Sequence, residues 1–207
     1  MTRIARTMIV VATLFLAACA ALTGKHDAFT VYSPRLAMPK AVDSVAPVPW
    51  QLLVETPRAS SALDTAHIAV MPSAGVLEIY PAARWRDPAP SLLRSLIVQA
   101  FDDSGRIVGV SGATSGLSAD YSLAIDLRDF QVELAGGSAH AAIRLNAKMF
   151  DHRSNRIIAT RAFAIETPTD TTDIGSSVGA FERAVNELLP QIVDWTLQTG
   201  NAAYAKP

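Results

Sequence analysis

A single cysteine stands among 207 residues. That scarcity rules out a disulfide framework or a cysteine-built zinc site. Charged residues make up 18% of the chain, and lysine and arginine nowhere gather into a run. With a formal net charge of −1, the chain lacks the basic surface that nucleic acid demands. No long apolar run follows the first one, so nothing later reads as a bilayer-crossing helix. His26, His67, His140 and His152 show no HxxxH, HxH or HExxH spacing and read as surface histidines rather than metal ligands. There is no GxSxG elbow, and Ser111, Ser115 and Ser118 read as turn formers in a loop. Gly105, Gly109, Gly112 and Gly116 compose neither GxGxxG nor a P-loop with its lysine. The expectation is therefore no enzyme, no cofactor and no metal.

What the chain does have lies first at its start. Arg3 and Arg6 precede the apolar stretch Met8 to Ala18, which is too short to span a bilayer and reads as a signal peptide, residues 1–18. It ends in Leu16-Ala17-Ala18-Cys19, which resembles a bacterial lipobox. Cleavage between Ala18 and Cys19 would free an amine for acylation, such as by palmitate, beside a thiol carrying diacylglyceryl. Two or more acyl chains hold a protein stably to a membrane, whereas one holds it marginally. The alternative is an ordinary secretory signal whose cleavage site lies beside a buried cysteine. Coincidence of signal end, small residues and lone cysteine favours lipid attachment at Cys19.

Residues 19–49 read as lipidated cysteine, tether and a proline-rich extended segment, with a short strand at Phe29 to Val31. Residues 50–200 read as one domain and 201–207 as a tail. Trp50 to Glu55, Ile68 to Met71 and Val76 to Tyr80 read as strands, ended by Pro57, Pro72 and Pro81. Asp87-Pro88 reads as N-cap and first position of a helix. Its apolar stripe is Leu92, Leu93, Leu96, Ile97, Ala100 and Phe101, and Asp102 to Gly105 is its solvated stop. A strand follows at Arg106 to Val110. Tyr121, Leu123, Ile125 and Leu127 alternate, and Phe130, Val132 and Leu134 resume one residue out of phase. That slip predicts a β-bulge near Arg128-Asp129. Turns at Gly136-Gly137 and Ser154-Asn155 complete a meander in which Ala139 to Met149 alternate inward against His140, Arg144, Asn146 and Lys148. Phe181 to Val193 mark a C-terminal helix starting near Ile174 or Ser177, kinked or broken at Pro190 and stopped at Gly200. The expected class is α+β: a largely antiparallel sheet with a C-terminal three-strand meander, packed by two amphipathic helices.

Tyr80 and Trp85 bracket Pro81 to Arg84, and Arg84 is placed to stack on Trp85. Tyr80, Arg84, Trp85 and Trp195 are candidate partner contacts; covering an edge of the core is the competing reading for the aromatic rings.

Several stretches together resemble the ABC-type transport auxiliary lipoproteins. They are the lipobox; Phe29-Thr30-Val31 with Pro34; Leu63 to Val70; Tyr80 to Trp85; and Ala119 to Leu127 with Phe130. Val31 and His67 depart from the leucine and arginine that the family leads one to expect, which puts any contact made by that arginine in doubt. The resemblance implies a lipid-anchored, periplasm-facing auxiliary subunit of a lipid transport system. Its implied partners are an ABC transporter permease and ATPase complex and a mammalian-cell-entry-type lipid-binding protein, with a homo-oligomer open. Ala20 after the cysteine fits outer-membrane sorting. The alternative is a module that itself carries lipid in an apolar cleft between sheet and helices; an anchored hydrolase would need converging polar residues.

Overall fold

The computed structural model describes residues 28–38, 46–112, 118–135 and 138–205. The leader, Cys19, Ala20, His26, Pro39, Ser115, Gly116 and the Gly136-Gly137 turn lie outside the described residues. In chain order the elements are β1 (Thr30–Tyr32), β2 (Val48–Val54), β3 (His67–Ser73), β4 (Val76–Trp85), α1 (Ala89–Ser104), β5 (Ile107–Ser111), β6 (Tyr121–Ala135), β7 (Ser138–Asp151), β8 (Arg156–Pro168) and α2 (Ile174–Tyr204).

β6 organises the single sheet of eight strands. One of its edges runs antiparallel to β7 along its length, and β8 continues the meander. Its other edge takes two strands end to end, both parallel: β2 beside Tyr121 to Leu123 and β3 beside Gln131 to Glu133. β5 adds parallel to β2, β4 antiparallel to β3, and β1 parallel to β4. The sheet is therefore mixed, which corrects the expectation of a largely antiparallel one. Alternation of apolar residues reports which face of a strand is buried, not the direction of its neighbour. The meander and the two helices stand as expected.

Phase and register agree at the bulge. Leu127 pairs with Leu145 and Asp129 with Arg144, leaving Arg128 as the extra residue. Leu127 and Phe130 are consequently both buried. Pro57 follows the end of β2, but Pro72 and Pro81 lie inside β3 and β4 rather than ending them. The β3–β4 ladder is irregular at both prolines. Between the His67–Arg84 and Ala69–Ile79 pairs, β4 carries more residues than β3. Ala82 there adopts φ 52°, so Pro81 sits in a bulge that asks no donor of it.

α1 buries Leu92, Leu93, Leu96, Ile97, Ala100 and Phe101 on one stripe. Its N-cap is Pro88, not Asp87, whose carboxylate instead accepts from Arg86 Nε at 3.0 Å. Gly105 ends the helix at φ 60°, its N–H donating to Asp102 O at 3.1 Å. Gly105→Ala should cost about 1 kcal/mol, because a Cβ is strained in the left-handed region. Urea denaturation reads this; an unchanged midpoint would contradict the capping role.

α2 starts at Ile174, where the Asp173 carboxylate accepts from Ser176 N at 3.0 Å. It runs without a break through Pro190, where a kink or a break is expected, and through Gly200, correcting the expected stop. Leu188, Leu189, Ile192 and Val193 flank the proline and are fully or almost fully buried, so packing sustains the helix across the missing hydrogen bond. Both helices share one apolar cluster with the inward residues of β2, β6, β7 and β8. Among the described residues no helix packs on the opposite face of the sheet, which is the more open one.

Candidate functional site

Polar residues of the meander come together on that open face. Register sets Asp129 opposite Arg144 and Glu133 opposite His140. Arg144 grips Glu133 through both terminal nitrogens, at 2.6 and 3.0 Å, and also contacts Glu166 and Asp129. Gln131 donates to Glu133 at 3.1 Å, and His140 Nε2 lies 3.3 Å from the same carboxylate. One guanidinium and one imidazole thus hold three carboxylates on a half-solvated surface. The Arg144 hydrogen bonds dominate in pulling the Glu133 carboxyl from its ordinary 4.5 to about 2. The same bonds, first from Glu133 and then from Glu166, raise the Arg144 pKa.

Further along β6 and β7, Lys148 donates to Asp126 at 2.6 Å and holds that carboxyl low. This pair edges a groove of about 350 Å³ lined also by Glu55, Arg58, Phe150 and His152. A second groove, about 840 Å³, opens between the β7–β8 turn and the end of α2. Nearby, His152 Nε2 and Ser122 Oγ lie 2.7 Å apart, but Ser122 is only 1% exposed, so this pair presents no nucleophile to a substrate. Among the described residues no group of three His, Cys, Asp or Glu could hold a metal ion, and no helix is long and apolar enough to cross a membrane.

The structure separates the four expected contact residues. Trp85 is fully buried, edge-on to Phe130 at 5.7 Å and Phe181 at 5.1 Å, which corrects its reading as a partner contact. Arg84 points outward and covers the Phe29 ring at 4.2 Å instead of stacking on Trp85. Tyr80 is half-buried, its hydroxyl 3.1 Å from Thr172 O and 3.0 Å from Ser177 Oγ at the start of α2. Trp195 is half-buried against Phe163 at 5.9 Å. Trp50, Trp85, Phe101, Phe130 and Phe181 fill the space between sheet and helices, where a lipid-carrying cleft would have to lie. The ionic network escaped the sequence reading. Counting outward from a two-residue turn at Gly136-Gly137 would have paired Glu133 with His140 and Asp129 with Arg144, short of the predicted bulge, and so exposed it.

The family profile of the ABC-type transport auxiliary lipoprotein component matches residues 34–193. Crystallised protein XCC0632 from Xanthomonas campestris superposes with a TM-score of 0.79 at 36% identity, covering 86% of this chain and 99% of that one. A second solved structure, of an uncharacterized protein, shares the fold at TM-score 0.63 and 16% identity over 82% of this chain and 99% of that chain. The uncharacterized protein bll6063 of Bradyrhizobium diazoefficiens is 27% identical over 114 residues, 55% of this chain, and the match spans only 30% of that longer protein. This family is an auxiliary component of transport rather than a family of enzymes, and its lipoprotein character implies a membrane-anchored, periplasm-facing location. The chain belongs to the ABC-type transport auxiliary lipoprotein family.

Proposed function

We propose that the protein is an outer-membrane lipoprotein serving an ABC-type lipid transport system as a docking subunit. The match of the family profile over residues 34–193 carries the reading. Leader 1–18 is removed, Cys19 takes the acyl groups, and Ala20 directs sorting to the outer membrane. The residues ahead of β1 then space the domain from the bilayer, since Thr30–Tyr32 and Val48 already belong to the sheet and α2 takes in residues 201–204. Energy comes from the separate permease and ATPase complex. A mammalian-cell-entry-type protein carries the lipid, and this chain holds that assembly near its membrane through its exposed surface, with Arg84, Tyr80 and Trp195 as contacts. The packed core between sheet and helices supports docking over lipid carriage.

Mild cross-linking followed by pull-down of the acylated protein should recover transporter or lipid-binding components; recovery of neither counts against the proposal. Cys19→Ala should move the protein out of the membrane fraction with its fold unchanged by circular dichroism. Unchanged partition would refute acylation as the anchor.

A further inference from the structure

The β3–β4 hairpin is an arm of the sheet that runs beside Gln131 to Glu133 of β6, and its end is apolar where solvent should favour polar residues. Val76 is 44% exposed, Leu77 38% and Ile79 51%. Ile79 pairs with Ala69, and strand alternation sets Leu77 on the same face as Ile79. Glu78 and Tyr80 take the other face, toward α2. Beside the arm's base, Phe29 and Val31 are also exposed, at 43% and 57%, with the Arg84 guanidinium over Phe29.

Chain direction says what this surface meets. β1 is parallel to β4, with Thr30 opposite Ala83, so the polypeptide enters β1 from the side toward which the hairpin tip points. From Ala83 back to Val76 the arm extends about 23 Å, at 3.3 Å per residue. Between Cys19 and Thr30 lie few enough residues that the link spans about 18 Å as a coil and about 36 Å at full extension. That coil length is close to the length of the arm, and the described chain reaches Thr30 from the side of the hairpin tip.

We propose that the β3–β4 tip is a second membrane contact, seating Val76, Leu77 and Ile79 in the interface of the bilayer that holds the anchor. This rests on acylation at Cys19. Apolar side chains without a lipid chain bind a surface weakly, but the anchor supplies the proximity, and the arm then fixes the domain's orientation. The end of β6 then comes near the membrane with the arm, and β5 lies far from it: Leu52 is level with both Val110 of β5 and Tyr121 at the start of β6, whereas Met71 near the arm's tip is level with Glu133 near the end of β6.

The test uses the full acylated chain in phosphatidylethanolamine and phosphatidylglycerol vesicles. Acylation consumes the native thiol, so Leu77→Cys and, separately, Val108→Cys on β5 each accept one environment-sensitive fluorophore. Both positions are exposed, and circular dichroism checks the fold. Brominated lipid should quench the label at 77 severalfold more than the label at 108. Equal quenching in protein that still floats with the vesicles overturns the arm's contact while leaving the anchor intact. Failure to float overturns the anchor and the proposal with it. Quenching at 77 by a second, quencher-labelled copy instead of by lipid reassigns the surface to self-association and overturns the membrane contact.

Discussion

Gly200→Ala is expected to destabilise the domain by about 1–3 kcal/mol, although alanine is the better helix former. A Cβ built on Gly200 would lie 2.4 Å from Trp50 Cζ2 and 2.8 Å from Cε2 and Cη2. That ring has nowhere to go. It is fully buried, its Nε1 donates to Asn201 Oδ1 at 2.9 Å, and Tyr121 meets it edge-on at 5.2 Å. The gain in helix propensity, up to about 1 kcal/mol, is smaller than the cost of overpacking a rigid indole. A double-mutant cycle isolates the contact. In a Trp50→Leu background the same alanine should be neutral or mildly stabilising, read as a urea midpoint in the unacylated chain. Equal cost in both backgrounds would place the effect elsewhere.

Arg144→Met is expected to cost about 2 kcal/mol near neutral pH. Removing the guanidinium leaves Asp129, Glu133 and Glu166 facing one another without their shared partner. The figure is set below that of a fully buried pair because Arg144 keeps 31% of its side chain in solvent and Glu133 18%. The pH dependence follows from the lowered carboxyl. Glu133 titrates near 2 when folded and near 4.5 ordinarily, so its stabilising contribution is complete above 4.5 and fades as pH falls toward 2. The stability gap between parent and Arg144→Met should thus be widest above pH 4.5 and narrow on acidification. A gap of constant size across that range would show that Arg144 acts through packing of its stem instead.

Much of the architecture is readable in the linear pattern, and the reason is local. Tyr121 to Leu134 must return their apolar set to one face, so a phase slip at Arg128-Asp129 demands a bulge wherever the strand pairs. The stripes of α1 and α2 likewise announce their buried sides. Gly200 looked like a helix stop because glycine commonly is one. It is instead the spot where α2 passes closest to an indole from β2, far away in sequence. Trp85 beside Arg84 suggested a surface pair; strand alternation sent the ring inward and the cation outward. Pro72 and Pro81 looked like strand ends because a regular ladder cannot use them, but an irregular one can.

Taken alone, the order of residues was enough to assign the inward and outward faces of the meander, the bulge, both helices and the absence of known catalytic motifs. Each depends on neighbours within a few positions, where periodicity and turn chemistry act. Folding in three dimensions settled which strands run parallel, why Gly200 must lack a side chain, how three carboxylates come to share Arg144, and that the apolar arm lies on the side from which the chain enters β1. Those features join residues far apart along the chain, and hydrophobic alternation carries no record of which distant segment will lie alongside.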